Sequence, residues 1–182
     1  LPISLIPKGE RRKKSIKDIR EGGYLRFGGK TFLVVDVSTY VETDETFRKK
    51  VGFTWPELRL LDLSTGQTVW LEWEEDDDVL IYLTTGSLSF RDLRDDEGGS
   101  IDEDDLDDLV DEDEDIVYRG KTFRYDDDYG ALYMRGGKGR DNKGDKVYFY
   151  DFVADNGECI TVEEWLEGKD NYSYEIFLSR RL

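Results

Sequence analysis

The sequence predicts an all-β protein of two tandem, duplicated small units, barrel-like or sandwich-like, joined by an acidic linker. Three observations predict it. Gly29-Lys30-Thr31-Phe32 recurs as Gly120-Lys121-Thr122-Phe123, and the hairpin signal around Gly66 recurs around Gly157, both at an offset of 91 residues with no indel between them. Each copy sets a glycine between two apolar or aromatic runs, and glycine supplies the positive φ that a tight hairpin turn requires. The chain also carries 4 Trp, 11 Tyr and 9 Phe, with many Val, Ile and Thr, which suit a pleated core. Residues 1–14 read as a basic tail, 15–94 as the first repeat, 95–115 as the linker and 116–182 as the second repeat, with pseudo-twofold packing of the two units as one arrangement.

Taken in order, Lys8 to Arg20 is basic around Arg11-Arg12-Lys13-Lys14. It reads as a tail, with electrostatic contact to an anionic membrane surface as the functional alternative. Ser15 to Ile19 reads as one helical turn or a strand lead-in. Strands are expected at Tyr24–Phe27, Thr31–Tyr40, Pro56–Leu63, Thr68–Glu74 and Val79–Leu83, with a bend in the second and a loop or irregular hairpin over Glu42–Phe53. Asp95–Asp115 holds 14 acidic residues and no basic one, which favours a solvated linker. Leu106, Leu109 and Val110 fall at helical spacing, so a short acidic helix is compatible with it. A calcium loop needs alternating ligands, a central glycine and a terminal Glu, and no such register appears. The second repeat is expected to form strands at Ile116–Tyr118, Thr122–Tyr125, Tyr129–Arg135, Lys146–Ala154, Glu158–Glu164 and Tyr172–Leu178. Gly136-Gly137-Lys138-Gly139-Arg140 lies between strands and lacks the following helix of a phosphate loop, so it reads as a hairpin loop.

Composition narrows function. The net charge of −17 repels phosphates and argues against nucleic acid. There is no histidine and one cysteine, Cys159, which removes the commonest general base and metal ligand, any disulfide framework and any thiolate zinc site within the chain. Cys159 sits in a strand pattern and reads as buried and inert. No apolar run is long enough for a spanning helix. The expected setting is cytoplasmic, with no cofactor and no catalytic residue.

The richest local cluster is Val69 to Asp78. Strand alternation places Val69, Leu71 and Trp73 on a core face and Trp70, Glu72 and Glu74 on the other. The second repeat offers Thr161, Glu163 and Trp165 on its corresponding face, with Glu72 and Glu163 aligned by the offset. Trp70, Glu72, Trp73, Glu74, Glu163 and Trp165 form the candidate binding set, because aromatic faces with carboxylates attract organic cations. The expected partner is a protein or a small cation such as a polyamine. A polyamine or divalent-cation sensor and a hydrolase using Glu72 and Glu163 are the alternatives. Trp70 against Thr161, Trp73 against Glu164 and Trp55 against Lys146 are where the copies differ and a site is expected.

Gly28 to Tyr40, Leu58-Arg59-Leu60 and Val69-Trp70-Leu71-Glu72, with Ile116 to Phe123, Asp128-Tyr129-Gly130-Ala131 and Ile160 to Trp165, resemble the bacterial DUF4178 family over about residues 15–178. The resemblance implies a shared fold without catalytic residues to carry over. It also implies a setting among bacterial stress modules encoded near phage-shock-type proteins, small membrane proteins and aminopropyltransferase-like enzymes. The expectation is therefore a non-enzymatic binding or scaffold module of an envelope-stress system, presenting an acidic aromatic surface to a cationic partner.

Overall fold

A computed structural model describes residues 15–75, 79–135, 144–169 and 171–182. Eleven antiparallel strands are described: β1 (Tyr24–Phe27), β2 (Lys30–Thr43), β3 (Lys50–Asp62), β4 (Thr68–Glu75), β5 (Val79–Leu88), β6 (Leu93–Arg94), β7 (Ile116–Tyr118), β8 (Lys121–Met134), β9 (Asp145–Val153), β10 (Glu158–Gly168) and β11 (Asn171–Arg181). One short helix, α1 (Leu106–Asp111), lies between β6 and β7.

Eight of the strands close into one barrel in the order β2-β3-β4-β5-β11-β10-β9-β8, with β8 returning to β2. This corrects the expectation of two separate units. Each half contributes a four-stranded meander with two open edges, and unpaired edges are a liability. The β5–β11 and β2–β8 seams consume all four edges at once. The β2–β8 seam maps onto itself under the 91-residue offset: Tyr40 faces Tyr133, and the shifted positions Ala131 and Glu42 face each other.

Several boundaries move from their expected places. β2 and β8 are each one 14-residue strand, bent by a register shift at Val34/Asp36 and at Tyr125/Asp127, positions again 91 apart. A bulge re-aims the strand without ending it. The expected loop over Glu42–Phe53 shrinks to residues 44–49, where Asp44 Oδ1 accepts from the Arg48 and Lys49 amides. The two Gly-turned hairpins differ by one residue: Asp62 N–H closes on Gln67 O, whereas Ala154 N–H closes on Glu158 O. Glu57 therefore corresponds to Phe149, and Trp55 to Val147 rather than to Lys146.

The repeated lysine is a latch. Lys30 Nζ reaches Asp62 Oδ2 at 2.7 Å, while Asp62 Oδ1 accepts from the amide and hydroxyl of Ser64. Lys121 pairs with Glu158 beside the other hairpin turn. The Lys30 ammonium holds the Asp62 carboxyl well below the ordinary carboxylate range, with the Ser64 hydroxyl helping.

The barrel inverts the usual polarity. Outward-facing Val34, Leu58, Leu60 and Leu71 form an apolar cluster, covered by Ile16, Ile19 and the β1 side chains Leu25 and Phe27. On the opposite half, Phe152, Ile160, Val162 and Ile176 are covered by Leu93, Ile101, Leu106, Leu109 and Ile116. The acidic segment is thus a folded flap rather than a solvated linker. Leu106 and Leu109 bury on one face of α1, as their spacing allows, and the carboxylates stay in water. Lys17 pairs with Glu75 on the barrel, and the Arg20 guanidinium donates to the Ile19 carbonyl. Residues 8–14 of the expected membrane-contact segment lie outside the described residues, as does Gly136–Arg140.

Candidate functional site

With apolar faces turned outward, the alternate positions of the strands line a central cavity of about 700 Å³. β4 turns Trp70, Glu72 and Glu74 inward, and β10 turns Thr161, Glu163 and Trp165 inward. The face read from strand alternation is therefore the barrel's lumen rather than an outer surface, which corrects the expected acidic aromatic patch. Five of the six candidate residues meet in this one cavity. Trp73 is the exception: it packs into the outer apolar cluster with Val69 and Ile81, and its ring only borders the lumen. Its Nε1 is buried without a hydrogen-bond partner among the described residues.

One wall is aromatic. Tyr40 stacks on Trp55 at 5.2 Å and meets Tyr133 at 4.8 Å, and Tyr129 stacks on Phe149 at 5.1 Å. Trp165 stands edge-on to Tyr133 at 5.5 Å, and Trp70 approaches Phe177 at 6.2 Å. Tyr40, Trp55 and Phe149 are buried, whereas Trp70, Tyr129, Tyr133, Trp165 and Phe177 keep part of their surface open.

Carboxylates are the commonest groups on the rest of the lining. Glu57 and Glu72 are direct cross-strand partners, and so are Glu163 and Glu175. Pairing like charges this way is unfavourable in an ordinary sheet. Burial pushes Glu72 up to about 8, and the neighbouring Glu57 and Asp151 add to the rise. Burial likewise pushes Glu57 up to about 7, although the Tyr133 hydroxyl, 3.1 Å from its Oε1, favours the ionised form. Glu163 is raised by burial and then by Glu72 and Glu57, while Trp165 Nε1 donates to it at 3.0 Å. Asp151 rises only to about 6, because Thr161 Oγ1 at 2.6 Å and the Tyr129 hydroxyl at 2.9 Å donate to it against the cost of burial.

The described lining residues hold eleven carboxylates and one guanidinium, that of Arg135. A cavity so charged, with aromatic faces beside it, stabilises a guest cation and disfavours anions. Among the described residues no group of three or more His, Cys, Asp or Glu is arranged to hold a metal ion. Cys159 also lines the lumen, half-buried, and burial raises its thiol to about 11.

Glu57, Asp151, Glu175 and Tyr133 are lumen residues that the repeat comparison did not single out. A strict 91-residue offset aligns Glu57 with Tyr148, an outward residue whose hydroxyl donates to Asp128. Two signals were available. Glu57 and Arg59 alternate with Leu58 and Leu60, and Asp151 is a lone carboxylate inside the aromatic run Tyr148 to Phe152.

Fold and site together define a closed antiparallel β-barrel with apolar outer faces under flanking segments and an acidic, aromatic-lined interior. The chain belongs to the family described as Domain of unknown function (DUF4178), whose family model matches residues 20–182. No curated protein and no solved structure matches the chain. No helix among the described residues is long and apolar enough to cross a membrane.

Proposed function

We propose that the barrel is a non-enzymatic binding module that takes a small organic cation into its lumen. The observation that carries this reading is the convergence of Glu57, Glu72 and Glu163, with the exposed Glu175 beside them, in an aromatic-lined cavity of about 700 Å³. Leaving like charges together in a partly desolvated space costs free energy unless protons or a guest cation neutralise them. The open edges and faces of Trp70, Tyr133 and Trp165 offer a guest both dispersion and ring quadrupole. The enclosed position favours a small molecule over the flat contact of a protein partner. The volume and the aromatic lining favour an organic cation over a bare divalent ion.

The same proposal places the module in the bacterial stress setting that the family resemblance implies, with a cytoplasmic location. It derives the two halves from one duplicated meander. The matching bulges and the self-mapping β2–β8 seam support that derivation.

The test is thermal unfolding of the whole chain with spermidine, magnesium chloride and sodium chloride at matched ionic strength. The expected result is a rise of the unfolding temperature with spermidine beyond either salt, growing with the logarithm of its concentration, because a ligand bound only by the folded state stabilises it further as its concentration climbs above Kd. Glu163→Gln should weaken that response. A spermidine effect equal to that of magnesium or of simple salt would overturn the reading.

A further inference from the structure

The lumen carboxylates fall on two levels. The upper level is Glu57, Glu72, Glu163 and Glu175. The lower level is Asp151 with Glu74, toward the end of the barrel where Cys159 lies. Register places them: Glu74 follows Glu72 by two residues on β4, and Asp151 faces Thr161, which lies two residues from Glu163 on β10. Two residues along a strand span about 7 Å. Cys159 interacts electrostatically with both Asp151 and Glu74, which places the lower pair toward its end of the lumen, whereas Tyr129 interacts with Asp151 and Glu74 and also with Glu72, and so spans the step. Phe149 is the direct partner of Glu163 across β9 and β10 and stacks at 5.1 Å on Tyr129, whose hydroxyl binds Asp151. The step between the two levels is therefore flanked by aromatic carbon.

Building on the cation-binding reading, we infer that the guest is a linear diamine or polyamine lying along the barrel axis, with one ammonium among Glu57, Glu72 and Glu163, the next at Asp151, and its methylenes against the open part of the Tyr129 ring, which the buried Phe149 backs. An ammonium at each level meets carboxylate acceptors, and the alkyl chain between them meets apolar surface. A single-headed amine fills one level and leaves the other uncompensated. A compact quaternary ammonium cannot reach both. A butyl- or pentyl-length spacer matches the step of about 7 Å between levels.

The experiment is a calorimetric affinity series on the whole wild-type chain, using ethylenediamine, putrescine, cadaverine, spermidine, butylamine and tetramethylammonium. Putrescine or cadaverine should bind roughly tenfold or more tightly than ethylenediamine and butylamine, the return from a second ion pair in a partly desolvated cavity. Asp151→Asn should bring putrescine down to the affinity of butylamine while leaving butylamine within about twofold. Butylamine binding as tightly as putrescine, or affinity without a length optimum, would overturn the two-level inference and leave the cation-binding reading standing. An Asp151→Asn variant that weakens butylamine and putrescine equally would do the same. Absence of binding by every amine would overturn both. The wild-type length series decides the matter even if the variant does not fold.

Discussion

Glu72→Gln removes one ionisable group from the lumen while keeping the side chain's size and one carbonyl oxygen. In the unfolded chain this carboxyl titrates near 4.5, and in the barrel it is raised to about 8. Between those values the folded protein holds a proton that the unfolded chain has released. Stability attributable to the group is therefore complete below about pH 4.5 and is lost as the pH rises toward 8, at about 1.4 kcal/mol per pH unit. From about pH 5 to about pH 8 the loss is roughly 3–4 kcal/mol, a large part of an ordinary domain's stability. Asp44, Asp62, Asp92 and Glu158 are shifted in the opposite direction, so they titrate below this window and do not mask it. Urea unfolding of wild type and Glu72→Gln at both pH values measures the effect. The variant should match wild type in acid and exceed it by roughly 3–4 kcal/mol at the alkaline end. Wild-type stability that is flat or rising across the window, or a variant that keeps the wild-type slope, would refute the placement of Glu72 in a crowded acidic lumen.

Other perturbations test other parts of the molecule. Leu109→Ala, in the flap over the second apolar cluster, should cost about 2–5 kcal/mol in chemical denaturation, where a solvated linker would show almost none. Gly130→Ala would bring a methyl within 3.1 Å of the Phe47 ring and of Thr43 Oγ1, and should cost about 1–3 kcal/mol. Cys159, its thiol raised to about 11, should react slowly with iodoacetamide at neutral pH and more slowly still with the lumen filled by spermidine. Equal rates with and without spermidine would count against the lumen as the binding place.

Strand content and most of the lumen were legible from period-two alternation. Trp70, Glu72 and Glu74 separate from Val69 and Leu71 by it, and the structure keeps that division. Alternation distinguishes two faces but does not say which one is inside. Globular sheets usually bury their apolar side against another layer, which points the polar face to the surface. Here that layer is supplied by residues 16–27 and 88–118, so the polar face closes on itself. Closure was equally hidden, since no local signal marks the seam between Tyr40 and Tyr133, whose partners lie 93 residues apart. Glu57 was concealed by a single extra residue in the 62–67 turn. The burial of Leu106 and Leu109 was visible as spacing, yet the surrounding charge outweighed it in a purely compositional reading.

The flanking segments wrapped around the barrel have an evolutionary consequence. In most small barrels the inward side chains do two jobs, holding the fold and shaping any cavity, so a change that alters specificity also endangers stability. Here much of the cohesion sits between the strands and their outer cover, in Leu58, Leu60, Phe152 and Ile160. Apart from the aromatic band around Tyr40 and Trp55, the inward positions are released from that duty. If the lumen binds a guest as proposed, carboxylates at positions 72, 151 and 163 can be exchanged for other groups without rebuilding this frame.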